Sequence, residues 1–540
     1  MRRRRRGAET LAVLGLFGLL TVVATWPQAL HLSSQAPLHQ DVYFNMWRLR
    51  WFAHALVTPS AHLFDANIFH PDPRTLALSD AMVVEGIVAA PLVWAGMRPV
   101  LVQNLLILGA IAASGAAMFA LVRYLTGSRG AAIVAGVVFA FAPYRFEHIM
   151  HMELQWAMWM PLAFLALHRT FDTGKWKYGL ATGACIALQM LSSIYYGIFL
   201  ASLIAVAAIL LVFRDRGAPV SRVMWPLAAG AVLAAAISAA YARPYLRTHD
   251  RVGDRPADEI AAFSARPSSY LAATPGNWLY GRTRSRAGAE RRLFPGIIPI
   301  VLAIAGLLLR TPSRRMMVYL LLLVAAFETS LGFGGYVYPF LYDHVPVYRG
   351  LRASARLGIF VLMFLGVLAA FGYHAIVASR SPAFRRALVI FLVLGLLVEY
   401  RVTLGLAAYP NEAPAIYRVL ARQPRGVVAE FPVPRVDALP GDDAKYAYMS
   451  TFHWFPLVNG YSGIYPRSYL SRLERLRTFP DETSMTQLRR DGVRYVIVHG
   501  SSFTAPAFSE LRARLRDGGA LTELGSFDDW DGPAVLYQMR

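Results

Sequence analysis

Three arginines spaced three and four residues apart, Arg349, Arg352 and Arg356 in "VYRGLRASARLG", stand immediately before 23 residues, 357–379, without Asp, Glu, Lys or Arg. On a helix that spacing draws one stripe. The stripe would lie at the N-terminal end of an apolar helix, where the macrodipole is already positive and further cations are unfavourable. An anion resting there removes the objection, because guanidinium forks and unpaired backbone N–H groups both suit phosphate. The bland alternative is that the side chains snorkel to lipid headgroups.

A second group able to do chemistry is Asp41 in "HQDVYFNMW". A carboxylate within hydrogen-bond reach of a hydroxyl can act as general base, although Asp is also a favoured helix N-cap. Further ionisable and aromatic groups gather in "YRFEHIMHMELQ", which carries Tyr144, Arg145, Glu147, His148, His151 and Glu153. Tyr195, Tyr196 and Arg243 stand at the ends of other apolar runs, and Asp80 and Glu85 bracket the start of another. The spacing of His148, His151 and Glu153 is no recognised zinc signature, and a hydrogen-bonded loop explains it as well. Tyr195 and Tyr196 also suit membrane-interface anchors.

These groups need elements to hold them. Of 540 residues, 56% are hydrophobic and 16% charged, which places the chain among polytopic α-helical membrane proteins. The formal charge of +21 does not call for nucleic acid, because the basic residues fall in short clusters between apolar runs. Five such loops, 123–130, 169–177, 214–222, 310–315 and 380–386, hold 14 Lys or Arg against Asp172 and Asp215. Placing all five in the cytoplasm satisfies the positive-inside rule and requires about eleven crossings. The expected spans lie near 11–30, 99–122, 131–144, 154–168, 178–194, 197–213, 223–242, 293–309, 316–333, 357–379 and 387–407. The N-terminus is then cytoplasmic, the first span an uncleaved anchor in the cytoplasmic (inner) membrane, and the C-terminus outside. Residues 81–97 read as a re-entrant or surface-lying helix, since a crossing there would invert all that follows. The single cysteine, Cys185, lies in an apolar run and excludes a disulfide framework.

Two domains follow: membrane helices over 1–407, with a first extracytoplasmic loop at 31–98, and an extracytoplasmic α/β domain over 408–540. In the loop, Trp47, Trp51 and Phe52 alternate with Arg48 and Arg50, a pattern expected of a helix lying in the headgroup zone. In the C-terminal segment, 426–433, 494–500 and "PAVLYQM" read as strands, and 483–492 and 509–519 as helices, the first closed by Gly492. "FHWFPLVNGYSG" brings His453, Trp454, Asn459 and Tyr461 together, a mixture of aromatic and amide groups suited to sugar faces and equally to core packing.

The order of these features resembles the integral-membrane GT-C glycosyltransferases, the superfamily of protein mannosyltransferases and lipid A aminoarabinose transferases. The resemblance rests on Asp41, Asn45 and Trp47, on Tyr144, Arg145, His148 and His151, and on Arg352 with Arg356. It implies an outward-facing site, Asp41 as catalytic residue and a polyprenyl-phosphate-linked sugar as donor. Arg349, Arg352 and Arg356 would bind the donor phosphate, and the acceptor would be a glycan, lipid or protein. Where many relatives carry two adjacent acids, Asp41 is followed by Val42. No cofactor is expected; a divalent metal would have to draw on Glu147, Glu153 or Asp80. Rival readings are a lipid-linked sugar flippase or transporter, for which repeated halves or interrupted midplane helices are lacking, and a non-catalytic glycan- or lipid-binding protein.

Overall fold

In the computed structural model, which describes residues 2–214, 220–309 and 311–540, the chain is mostly helical with a small sheet near the C-terminus. Asp215, Arg216 and Arg310, counted above among the loop charges, lie outside the described residues. Six helical stretches among the described residues are long and apolar enough to cross a membrane: Gly7–Ala24, Pro99–Thr126, Arg129–Glu147, Ile194–Phe213, Ser221–Val252 and Ser354–Val377. A helix lies on every expected span, but several are short. Trp159–Thr173 has 15 residues and Ile297–Leu309 has 13, against the roughly 20 that a ~30 Å hydrocarbon layer needs. Helix Val83–Trp94, inside the expected 81–97 segment, has 12 residues, a length of about 18 Å.

The chain divides into two compact units. The first comprises Met1–Leu30, Leu105–Tyr241 and Asp254–Gly405. Its centre is helix Gly358–Val377, buried along nearly its whole length against helices Arg129–Phe141, Ile297–Leu309 and Arg314–Ser330. Apolar side chains supply no net driving force between helices in lipid, so close backbone approach has to hold such a bundle together. Gly372 meets that need: a Cβ there would lie 1.7 Å from the carbonyl oxygen of Leu302. Helix Ile297–Leu309 starts on an acid, since the Glu399 carboxylate accepts the N–H groups of Ile297 at 2.5 Å and Ile298 at 3.3 Å. Negative charge is favourable at that end of a helix.

The second unit comprises His31–Asn104, Ala242–Gly253 and Leu406–Arg540. Strand β1, Gln35–Pro37, pairs antiparallel with β2, Leu406–Ala408. Four further strands form one sheet: β3 Val427–Phe431, β4 Val493–His499, β5 Leu521–Asp529 and β6 Gly532–Met539, in the order β3-β4-β6-β5. β3 and β4 run parallel; the other pairs are antiparallel. Helices Glu482–Arg490 and Ala505–Asp517 contribute Leu488, Leu511 and Leu515 to the core with Val496, Val498 and Val535 of the sheet. Gly492 follows the first of these helices at φ +69°, as its expected closing role requires.

Helix Gln40–Val57 departs from expectation. Trp47, Trp51 and Phe52 are buried, as is Arg48. The helix packs on Val83–Trp94 and on Asp443–Ser450 instead of lying in headgroups. Arg48 can be internal because it donates to Asn45 Oδ1 at 2.5 Å and to the Asp80 carbonyl at 2.9 Å, while its guanidinium sits over the Phe44 ring. Arg50 lies over Phe452 and donates to the Thr451 carbonyl. An aromatic and cationic stripe satisfies a polar protein interior as well as it satisfies a lipid interface.

Gly372→Leu should lower stability by roughly 3 kcal/mol, because its side chain would meet the backbone at Leu302 and no side chain there can yield. Thermal unfolding of the detergent-solubilised protein measures this; an unchanged midpoint would contradict the packing.

Candidate functional site

The three arginines do not share one helix. Arg349 lies in a 3-10 turn, Pro346–Gly350, and Arg356 in another, Ser354–Leu357; the α-helix begins at Gly358. Gly350 and the extended residues between the turns break the stripe, so each guanidinium meets a different neighbourhood.

Arg349 donates from Nε to the Tyr342 carbonyl at 3.1 Å and from Nη2 to the Asp343 carbonyl at 3.0 Å. Those carbonyls end helix Val337–His344, so Arg349 caps the negative end of a helix dipole. Arg356 is buried and donates to Glu290 Oε1 at 2.5 Å, with its guanidinium 4.7 Å from the centre of the Tyr195 ring. The expected clash of a cation with the helix start is thus offset by a carboxylate of the chain itself. Arg352 remains: its side chain is 28% exposed, it stands over Phe263, and Glu259 approaches only to 3.7 Å. Its backbone N–H is held by the Tyr195 hydroxyl at 2.9 Å.

Around Arg356 lies a polar cluster of the same unit. Glu147 pairs with Arg292 at 2.6 Å. His148 Nδ1 faces His151 Nδ1 at 3.3 Å, and the hydroxyls of Tyr144 and Tyr196 meet at 3.2 Å. Burial opposes ionisation of Glu290, but the Arg356 guanidinium beside it outweighs burial and holds the carboxyl well below its usual range. Burial pushes the His148 imidazole down to about 3, so the ring is neutral at physiological pH.

Three expected site residues stand apart from this cluster or brace it from within. Arg145 is buried and donates to the Gln155 carbonyl at 3.0 Å, while Gln155 donates back to the carbonyls of Arg145 and His148. It braces the loop from inside. Glu153 is buried in the short helix Met152–Gln155. Arg243 belongs to the second unit, where it is exposed midway along Ser221–Val252, a helix longer than expected. Neither Glu290, Glu259 nor Arg292 was singled out from sequence; the one signal was Glu290 standing alone among the arginines of 282–292.

Asp41 lies in the second unit, in the first turn of Gln40–Val57. It is not the N-cap. His39 takes that position, and its Nδ1 accepts the Asp41 N–H at 3.1 Å. That nitrogen therefore carries no proton, and its 3.4 Å approach to Asp41 Oδ2 is not an ion pair. The Tyr461 hydroxyl donates to Asp41 Oδ1. Burial, reinforced by the Asp41 charge, drives the Tyr461 hydroxyl far above its usual range, so the phenol keeps its proton and serves as a donor. The Asp41 side chain stays 13% exposed.

The other residues of "FHWFPLVNGYSG" divide by role. Asn459 is buried, accepting the Glu430 N–H and donating to Asp443, and His453 is buried with its Nδ1 accepting the Phe455 N–H. Both are internal supports, not acceptor contacts. Trp454 lines a cavity. Among the described residues, no group of three or more His, Cys, Asp and Glu side chains converges as a metal site.

No protein-family model and no curated protein sequence matches the chain. Its fold has clear counterparts among solved structures. The arabinofuranosyltransferase AftD from mycobacteria superposes with a TM-score of 0.61 at 17% identity, over 97% of this chain and 41% of that one. The oligosaccharyltransferase of Archaeoglobus fulgidus gives 0.50 at 13% identity, over 90% of this chain and 69% of that one. ArnT from Cupriavidus metallidurans, solved with undecaprenyl phosphate, gives 0.49 at 12% over 98% and 97%. This chain thus spans about two fifths of the length of AftD. The chain shares its fold with AftD and the archaeal oligosaccharyltransferase.

Two outcomes follow from the site. Arg349→Ala should cost about 1 kcal/mol of stability, the worth of a charge at a helix terminus, read as a lowered unfolding midpoint. His148 has a folded pKa below its unfolded value, so the unfolded state binds the extra proton between about 6.5 and 3. Its stabilising contribution is present above pH 6.5 and is lost as pH falls through that window. His148→Gln should therefore flatten the acid limb of a stability-versus-pH curve; an unaltered slope would refute the assignment.

Proposed function

We propose that the protein is a membrane glycosyltransferase that moves a sugar from a polyprenyl-phosphate-linked donor to an extracytoplasmic acceptor. What supports the reading most is Asp41: a hydrogen-bonded carboxylate, mostly buried with 13% of its side chain exposed, in the first loop of a chain with a GT-C-like fold. Around it the proposed topology is the one expected from the loop charges, with about eleven crossings, the N-terminus cytoplasmic and the C-terminal segment outside the inner membrane.

In the proposed reaction the acceptor hydroxyl attacks the anomeric carbon. Its proton passes to Asp41, the new oxygen–carbon bond forms as the bond from carbon to phosphate oxygen breaks, and the electron pair leaves on the lipid phosphate. A single displacement inverts the anomeric centre. Tyr461 donates to one carboxylate oxygen and so fixes the orientation of the group that receives the proton. Fixed charge aimed at the departing phosphate lowers the barrier most, and Arg352 is the cation of the original three with its side chain least committed elsewhere. Arg356, already neutralised by Glu290, contributes by holding Tyr195, whose hydroxyl fixes the Arg352 backbone. No step requires a metal.

The test incubates the reconstituted protein with a panel of polyprenyl-phosphate sugars and follows release of the free lipid phosphate. Asp41→Asn should slow turnover by roughly 10²- to 10⁴-fold with donor binding retained. Arg352→Ala should weaken donor binding, whereas Arg349→Ala should leave it intact. Normal turnover by Asp41→Asn would overturn the assigned base, and undiminished donor binding by Arg352→Ala would overturn the phosphate contact.

A further inference from the structure

A cavity of about 340 Å³ opens in the second unit, well along the helix from Asp41. Trp51 and His54 supply one wall from the C-terminal half of Gln40–Val57, and Trp454 supplies another. At about 1.5 Å of rise per residue, Trp51 and His54 stand some 15–20 Å along the helix axis from Asp41. The volume falls at the lower end of the roughly 300–1,000 Å³ typical of pockets for small ligands.

The lining is aromatic on one side and hydrogen-bonding on the other. The Trp454 indole stacks on the His54 ring, centroids 4.1 Å apart and planes at 11°, and Trp51 lies 5.9 Å away, tilted by 56°. Asp65, Asp72 and Arg425 bring charge to the same cavity. Asp65 Oδ1 accepts the Arg74 N–H at 2.7 Å, and Asp72 accepts the Ser468 hydroxyl at 2.9 Å with Arg472 at 3.6 Å. Burial, with Arg425 nearby, pushes the His54 imidazole below its usual pKa.

These features narrow the ligand. Two carboxylates disfavour an anion, while Arg425 and Arg472 offset them against a cation. An apolar ligand would make no use of the hydrogen-bonding side of the cavity. What suits flat indole faces beside carboxylate acceptors and guanidinium donors is a neutral molecule with apolar C–H faces and many hydroxyls. That is a sugar ring.

The backbone adds a second observation. Trp454 sits at φ +57°, a left-handed conformation that glycine adopts freely and that is strained for a bulky side chain. Strain of this kind persists where the surrounding structure enforces it, commonly at binding and active sites. Here it holds an indole in the cavity wall on a backbone that glycine would adopt without strain.

We infer that this cavity is a binding subsite for a neutral glycan chain, remote from Asp41 along the same helix, with Trp454 as its stacking platform. Its role in holding an acceptor rests on the glycosyltransferase reading; glycan binding itself does not. The test titrates the purified full-length protein calorimetrically with neutral glucan, mannan, galactan and arabinan fragments of defined length. At least one class should bind, and Trp454→Gly should weaken that binding roughly tenfold or more while its unfolding midpoint stays level or rises. Asp41→Asn should bind as the wild type does, which separates this site from the proposed reaction. Trp454→Phe, keeping a smaller aromatic face, should fall between, and it carries the test if the glycine variant does not fold. Absence of binding by every fragment, preference for a charged peptide, or unweakened binding by the folded Trp454 variants would overturn the inference.

Discussion

A guanidinium removed from water must be neutralised or fully hydrogen-bonded, because an uncompensated buried charge costs several kcal/mol. That constraint organises the first unit. Arg356 stands at the start of a long buried helix, where the dipole repels it, and Glu290 answers the charge at 2.5 Å. Glu147 does the same for Arg292. With those cations satisfied internally, Tyr195 can pack on Arg356 and present its hydroxyl to the backbone of Arg352. The pairing is structural in its energetics and permissive in its chemistry: it builds the wall against which one guanidinium stays partly open.

The same constraint sorts residues that look alike in sequence. Arg349, Arg352 and Arg356 have one residue type and regular spacing, yet one caps a helix, one sits in a buried ion pair and one retains an exposed edge. Their partners decide this, and the partners lie far off in the chain; Glu290 is 66 residues from Arg356. Spacing therefore located the cations but could not rank them. Length and charge patterning were legible, because a hydrocarbon layer imposes long uncharged runs and leaves basic residues in the turns. Every expected span carries a helix for that reason.

Elsewhere the sequence signal was degenerate. The Trp and Arg pattern of 47–52 suits a headgroup zone, and it equally suits an interior where Asn45, the Asp80 carbonyl and aromatic faces serve the guanidinium groups. Strand β5 escaped recognition because "LTELGSFDD" holds only three large apolar residues among its acids, and its alternation is faint. Asp41 was legible as a candidate, but its partner Tyr461 lies 420 residues away and no local pattern joins them.

The segment 453–461 illustrates how one short stretch can be both scaffold and site. Its inner residues are pinned: Leu457 N–H bonds to the Asn67 carbonyl, His70 N–H to the Leu457 carbonyl and Phe69 N–H to the Asn459 carbonyl. Asn459 adds bonds to Glu430 and Asp443, and Val458 bonds to Val428 of β3. A backbone tied at so many points can enforce a left-handed tryptophan at one end and fix a tyrosine hydroxyl on a carboxylate at the other. Rigidity of this kind is what a site needs, since a group displaced by about 1 Å loses much of its effect. The internal residues Asn459 and His453 belong to that bracing, through their hydrogen bonds to Glu430, Asp443 and Phe455.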